Sequence, residues 1–285
     1  MVRFFCFLFV LFLPGLHLRA EVVTKYVIVS DIDDTIQKTQ VHWQLDPKGF
    51  LKNLFAFHDA YIGMPALYNA LAFSGHKIYY LTGTPSFLAK YQEKFLETSG
   101  FPVGTLITRD SVGTSTYDFK VKALENLMRI HSQSQFVFIG DNGQQDILAY
   151  QTLRTHPELG RRVNLTMIHQ VYGSPEGKPL QPEQKSYVSS AEISLTLRQH
   201  GLIDKEITRE VLRQVERGLQ SQSPRIKDLT IPKATPITET HLRNLEVWAQ
   251  TDSDPIIAKI IRSIVSLMDG RMRSEAMIEH DEGSL

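Results

Sequence analysis

Short apolar runs that break off into polar or acidic turns, each followed by a helix-period pattern, are what most constrain this chain. The runs are Tyr26-Val27-Ile28-Val29, Lys77-Ile78-Tyr79-Tyr80-Leu81, Phe136-Val137-Phe138-Ile139 and Val163 to Ile168, with a shorter one at Thr105 to Thr108. Their β-branched and aromatic content reads as buried strands. Between them lie helical patterns: Pro65 to Phe73 with Leu67, Ala70 and Leu71 on one side, and a helix that opens at Pro85 and runs to about Glu97, where Ser99-Gly100 stops it. Pro85 suits the first turn of that helix. Two more follow, around Lys120 to Ile130 and after Asp146. Strands alternating with helices imply a Rossmann-like α/β sandwich, a central parallel sheet with helices on both faces.

The carboxyl-terminal part has no strand pattern. Gly173 to Pro182, rich in Pro and Gly, reads as a linker or loop, helices are expected over Ser189 to Arg198 and Lys205 to Leu219, and Ser221 to Pro236 is extended and proline-bearing. A last helix starts at Asp254-Pro255. Its Ile256, Ile260, Ile264 and Leu267 fall at helical spacing beside Ile257, Ile261, Val265 and Met268. So broad an apolar face is expected to pack on the core, the alternative being a partner or membrane surface. The acidic end from Met277 to Leu285 is expected to fray. The division expected is a catalytic domain over 24–175, with a cap-like insertion near 37–62, and a mainly helical extension over 185–285.

The amino terminus has the form of an export signal: Met1-Val2-Arg3, an unbroken apolar run from Phe4 to Leu13, Pro14-Gly15, and Ala20 as a cleavage point. The run is short of the ~20 residues a membrane span needs. A signal peptide over 1–20 implies a secreted or periplasmic protein, with an uncleaved anchor as the alternative. Cys6, the single cysteine, lies inside this segment, so the mature chain would carry no disulfide. Lysine plus arginine equal aspartate plus glutamate at 31 each, so no net field favours nucleic acid. Peripheral membrane contact through a local patch is compatible with that balance.

Chemistry-bearing residues stand where the strands end, which is where open α/β sheets place their ligands. Asp31 and Asp33 follow the first strand, and at i and i+2 they leave an extended backbone on the same side. Asp31 can attack phosphorus to give an aspartyl-phosphate, and Asp33 can protonate the leaving oxygen and then activate water. Thr82, with the N–H groups around Gly83, can hold phosphoryl oxygens. Lys120 can offset the charge of Asp31 and a phosphoryl group. Lys122 stands close by, but leucines at plus four and plus seven, Leu124 and Leu127, put Lys120 on the sheet-facing side. Asp141 and Asp146 follow the strand at Phe136 and can face the same site. Several hard oxygens with no histidine or thiolate nearby favour Mg²⁺, an ion that lets the Asp31, Asp141 and Asp146 carboxylates coexist beside a phosphate dianion.

Softer candidates surround these. Asp34 is read as a turn residue able to adopt left-handed backbone. Arg109 reads equally as a phosphate or head-group contact and as a surface residue. Asn142 reads equally as orienting a metal-bound water and as capping its loop. His42-Trp43, Phe55, Phe57-His58 and Tyr61 form an aromatic segment that could cover a leaving group or pack into the core. Asn164-Leu165-Thr166 is a glycosylation sequon, discounted because it falls in an expected buried strand.

Asp31-x-Asp33-x-Thr35, Thr82, Lys120 and Asp141 with Asp146 together resemble the four motifs of the haloacid dehalogenase superfamily of phosphohydrolases. The resemblance narrows through Ser30-Asp31-Ile32-Asp33-Asp34-Thr35-Ile36, Gly63-Met64-Pro65, Leu81-Thr82-Gly83-Thr84-Pro85, Arg109-Asp110 and Ile139-Gly140-Asp141-Asn142-Gly143-Gln144-Gln145-Asp146. These look like the actin-patch phosphatidate phosphatase catalytic-domain family and its bacterial relatives, related to the lipins. The resemblance implies a Mg²⁺-dependent phosphomonoesterase with Asp31 as nucleophile and Asp33 as acid/base. Mg²⁺ would be held by Asp31, the Asp33 carbonyl and the last motif, and Thr82, Gly83, Lys120 and Arg109 would contact substrate. Phosphatidic acid or a related lipid phosphate is the implied substrate, soluble phosphomonoesters the alternative, and a non-catalytic lipid-phosphate-binding module the alternative of another class. Relatives usually read serine-asparagine-serine-proline at the second motif, where this chain has Thr82-Gly83-Thr84-Pro85.

Overall fold

The computed structural model describes residues 26–39, 59–110, 113–173, 177–221 and 236–282. The segment 1–20, His42, Trp43, Phe55, Phe57, His58 and the stretch 222–235 lie outside the described residues. Six strands form one sheet: β1 (Val27–Ser30), β2 (Lys77–Pro85), β3 (Thr105–Arg109), β4 (Phe136–Asp141), β5 (Val163–His169) and β6 (Lys185–Tyr187). The order is β3-β2-β1-β4-β5-β6, and every pair is parallel. Strand succession therefore runs outward from β1 in one direction and resumes at β4 in the other. The switch falls between β1 and β4, where a doubly wound sheet leaves a crevice outside the strands' carboxyl ends.

Period-two alternation divides the core. Ile28, Val137, Ile139, Leu165 and Met167 point to one face, packed by helices α1 (Met64–Phe73), α2 (Ala89–Thr98), α5 (Ser190–Gln199) and α6 (Lys205–Gln220). Val27, Val29, Phe136, Phe138 and Ile168 point to the other, packed by α3 (Thr116–Ile130) and α4 (Asp146–Arg154). A strand buried on both faces has to be apolar at every position, which is why β1 and β4 read as continuous apolar runs.

Helices α5 and α6 are themselves covered. Ile193, Leu197 and Val211 face the sheet, while Leu195, Leu212 and Val215 join a third cluster with α7 (Pro236–Thr251) and α8 (Pro255–Glu282). Ile257, Ile260, Ile261, Ile264 and Met268 of α8 are buried there, each contributing about 1.5–3 kcal/mol. The apolar face of the last helix thus packs on the chain itself. No helix among the described residues is long and apolar enough to cross a membrane.

Four elements depart from the sequence reading. β2 continues past Leu81 to Pro85, and Pro85 is extended (φ −62°, ψ 147°) before a 3₁₀ turn at Ser86–Leu88, so it does not open α2. Between the pairs Leu81–Ile107 and Pro85–Arg109, β2 uses four steps against two on β3. The excess forms a bulge, which keeps the segment in the sheet while redirecting its side chains. Helix α7 and strand β6 were not expected: of the described side chains of α7, Leu242, Leu245 and Ala249 are buried with Trp248 packed beside them, and β6 is three residues that pair with the free edge of β5. Finally, α8 continues to Glu282, past the point where fraying was expected.

Candidate active site

The β1–β4 crevice gathers the acidic residues. Asp31 follows β1, Asp141 ends β4, and Asp146 is the first residue of α4. One oxygen from each of the three carboxylates lies within 4.8 Å of the others, and all three residues are buried. From the opposite side of the crevice Lys120, in the first turns of α3 and 0% exposed, places Nζ 2.8 Å from Asp31 Oδ1 and pairs with Asp146 as well. Lys122, two residues on, is exposed. The helical repeat that buries Leu124 and Leu127 also buries Lys120, so the helix face selects between the two lysines.

The charges do not balance. Burial, followed by the neighbouring Asp146 and Asp31 carboxylates, pushes Asp141 well above the usual carboxylate range. Asp31 is also pushed well up by burial, with Lys120 opposing and Asp146 and Asp33 adding to the rise. Burial pulls the Lys120 ammonium down, but Asp146, Asp31 and Asp141 outweigh it and hold its pKa above the ordinary lysine value. Asp31 Oδ2 and Asp141 Oδ2 are buried without a hydrogen-bond partner. Such atoms are costly unless something pairs with them. Two orphaned carboxylate oxygens beside a third carboxylate, a set of three oxygen donors without histidine or thiolate, fit a hard divalent cation.

Asp33 stands apart from this trio. Its Oδ2 lies 3.2 Å from Thr82 Oγ1 and 3.3 Å from Thr84 Oγ1, and Gln92 Nε2 approaches Oδ1 at 3.5 Å. Burial and then the Asp34 charge raise its pKa, with the Thr82 and Gln92 contacts opposing. The β2 bulge makes this possible by turning Thr82 and Thr84 toward one point, where the Thr84 N–H donates to Thr82 Oγ1 at 3.1 Å. Gly83 is the closest approach in the motif: a Cβ there would lie 2.8 Å from the Thr116 methyl group. Glycine at that position therefore matches the packing of the α3 start, which a larger residue would displace.

The other candidates take local positions. Asp34 has φ 56° and buries a carboxylate that accepts the Thr39 N–H at 2.9 Å and the Tyr172 hydroxyl. Arg109 donates to the Thr114 carbonyl at 2.9 Å and reaches Thr116 Oγ1 at 3.4 Å, tying β3 to the start of α3. Asn142 caps the loop behind β5, its Oδ1 accepting from the N–H groups of Val171 and Tyr172 at 3.0 Å each. Tyr61 is buried edge-on to His169, with ring centroids 4.7 Å apart. Asn164-Leu165-Thr166 lies in β5 with Leu165 and Thr166 buried.

Sequence reasoning passed over Gln92, Tyr172 and Lys178. Gln92 had a signal: it is the one polar residue in the buried stripe Leu88, Gln92, Phe95, Leu96. Tyr172 and Lys178 had none, because they sit in a loop of no regular period.

A parallel sheet with this switch point, an acid-x-acid turn after β1, a hydroxyl bulge on β2, a lysine on α3 and two acids after β4 defines a haloacid dehalogenase-type α/β domain. The sequence profile described as "Phosphatidate phosphatase APP1, catalytic domain" matches residues 26–170, about half of the 285 residues. The chain belongs to that family. It is similar to phosphatidate phosphatase APP1 of Saccharomyces cerevisiae, 27% identical over 147 residues, which covers 47% of this chain and 24% of the yeast protein. The match thus spans about a quarter of that relative's length. Two structures of the class C acid phosphatase from Bacillus anthracis, one with tungstate bound, align at 19% and 18% identity and a TM-score of 0.35 each. They cover 43% and 44% of this chain and 54% and 55% of theirs.

Proposed function

We propose that this chain is a Mg²⁺-dependent phosphomonoesterase that works through an aspartyl-phosphate on Asp31, with phosphatidic acid or a related lipid phosphate as substrate. The observation that carries the reading is the cluster of three buried carboxylates sharing one lysine, with Asp31 Oδ2 and Asp141 Oδ2 left unpartnered. Such a site is short of positive charge and is suited to an ion that arrives with, or ahead of, a phosphate dianion.

In this reading an Asp31 oxygen attacks phosphorus and the ester P–O bond breaks. Asp33 gives its proton to the departing alcohol oxygen. The Asp33 carboxylate then takes a proton from a water that attacks the phosphoryl group, the bond to Asp31 breaks, and inorganic phosphate leaves with Asp33 protonated again. Lys120 orients Asp31 and offsets the negative charge that both steps share. Thr82 and Thr84, whose hydroxyls lie at the Asp33 carboxylate, would hold phosphoryl oxygens. Bound at Asp31, Asp141 and Asp146, Mg²⁺ would supply charge neutralisation and Lewis acidity.

The lipid part rests on the family and on the surface beside Thr84. Phe87, in the 3₁₀ turn at Ser86–Leu88, and Tyr91, in α2 beside Gln92, stand 73% and 49% exposed. Exposed aromatics next to a phosphate site suit an acyl-bearing substrate at an interface. Export through residues 1–20 belongs to the same proposal, and amino-terminal sequencing of the mature protein tests it.

The deciding experiment measures phosphate release by the mature chain and by Asp31→Asn, with Mg²⁺ or EDTA, from phosphatidic acid in mixed micelles and from a panel of soluble phosphomonoesters. Mg²⁺-dependent release lost in Asp31→Asn is expected, with phosphatidic acid preferred. A preference for soluble esters would replace the substrate, and lipid binding with no release from anything would replace the enzyme by a binding module.

A further inference from the structure

Behind β5 the chain doubles back over the loop that carries Asp141 and Asp146, and it grips that loop at several atoms. Asn142 Nδ2 donates to the Tyr172 carbonyl at 2.7 Å, while Asn142 Oδ1 accepts from Val171 and Tyr172. The Lys178 N–H donates to the Asn142 carbonyl at 2.8 Å, and the Lys178 ammonium donates to the Gln144 carbonyl. The clamped loop is the one whose Gly143 and Gln144 N–H groups hold Asp141 Oδ1, at 2.6 and 3.2 Å. At the other end the Tyr172 hydroxyl donates to Asp34, three residues from Asp31.

The packing is as close as the hydrogen bonding. A Cβ on Gly143 would lie 2.4 Å from the Tyr172 ring, and one on Gly177 would lie 2.3 Å from both Asn142 Nδ2 and the Tyr172 carbonyl oxygen. None of these atoms reaches the orphaned oxygens Asp31 Oδ2 and Asp141 Oδ2. They act on the peptides that hold the carboxylates.

We propose that the residues at 171–173 and 177–178 form a strap that sets the position of the last-motif carboxylates for a divalent cation, with Lys178 as its principal positioning residue. The inference rests on the Mg²⁺ reading above. Partners that orient ligand-bearing groups typically change metal affinity 10- to 100-fold when lost.

Lys178 also lies close enough to Asp141 and Asp146 for its charge to act on them, and this makes the test sharp. If Lys178 were only a nearby cation, removing it would lessen repulsion and tighten Mg²⁺ binding. As a clamp, its removal loosens binding. The two roles differ in sign.

The test is Mg²⁺ titration of the full mature chain, followed by calorimetry and by melting temperature, for wild type, Lys178→Gln, Lys178→Arg and Gly177→Ala. The last variant changes no charge and pries the strap from Asn142 by one methyl group. Lys178→Gln and Gly177→Ala are expected to weaken Mg²⁺ about 10-fold, with Lys178→Arg within about 3-fold of wild type. Melting in EDTA stays near that of wild type for Lys178→Gln. Tighter Mg²⁺ binding in Lys178→Gln would overturn the inference. So would a lowered EDTA melting temperature with unchanged Mg²⁺ affinity, the mark of a merely structural loop. If wild type binds Mg²⁺ and releases phosphate while all variants match it, the strap alone fails. If wild type does neither, the phosphatase reading fails and the inference falls with it.

Discussion

Two regions of this molecule bury ionisable side chains, and they treat them differently. Where α7 and α8 dock on α5 and α6, three buried or partly buried acids meet bases: Glu192 faces His241 at 2.6 Å, Asp252 pairs with Arg198, and Asp254 pairs with Arg209. The acids also serve as caps, with Glu192 accepting the Ser189 N–H and Asp254 accepting from Ile256 and Ile257. At the β1–β4 crevice, three carboxylates share Lys120 and two oxygens have no partner. The matched region uses charge to fix where helices sit, and the mismatched one keeps its energetic deficit. Burial and carboxylate repulsion are costs that a purely structural cluster would not retain, which is why the imbalance points to function.

The comparison breaks first at Asp31. Asp31→Asn is expected to lower Mg²⁺-dependent phosphate release by about 10³-fold or more. Because it also removes one crowded carboxylate, it should leave the melting temperature in EDTA unchanged or higher. A clear drop in that temperature would mean that the cluster is structural after all.

Lys120→Met is the strongest expected stability effect. It leaves three buried carboxylates with no cation, and removing one partner of a buried pair costs about 3–5 kcal/mol. Denaturant melts in EDTA and in Mg²⁺ check it, and Mg²⁺ should return part of the loss. No recovery would argue against a cation among Asp31, Asp141 and Asp146.

On the matched side, Arg198→Ala should cost about 2 kcal/mol, less than Lys120→Met because Arg198 is partly exposed and Asp252 keeps the Asp254 N–H. Mg²⁺ should return none of it, and phosphate release per folded molecule should be unchanged. A Mg²⁺-dependent rescue would erase the distinction between the two regions.

The smallest effect concerns acid. Partial burial pushes the Asp254 carboxyl up, but the Ile257 and Ile256 N–H groups and the Arg209 guanidinium outweigh it and hold it below the usual range. A depressed folded value gives stability that is present above the unfolded pKa, about 3.9, and lost as pH falls through the folded value. Melting temperature against pH should therefore slope downward below pH ~4, and less steeply in Asp254→Asn.

Much of this was legible in the chain. The α/β class, β1 with Asp31 and Asp33 behind it, β4 with Asp141 behind it and the helix at Ser189 all follow from local patterns of apolar spacing, caps and breakers. What escaped has a common cause. Helix α7 packs Leu242, Leu245, Trp248 and Ala249 into the cluster it shares with α8, but it follows a proline-bearing stretch that read as extended. Strand β6 exists because β5 offers an unpaired edge. The bulge at Thr82 depends on how β2 registers against β3. Tyr172 and Lys178 matter through atoms of residues about thirty positions or more away.

The alternation of strands and helices, the acids at strand ends and the sheet-facing side of Lys120 could be read from the chain, because each is written in the next few residues. It took the packed fold to show that Lys120 meets both Asp31 and Asp146, that Asp33 sits among Thr82, Thr84 and Gln92, and that the loop behind β5 grips the last motif. Those facts depend on strand order, register and loop closure, and such long-range contacts are chosen by packing the whole chain at once.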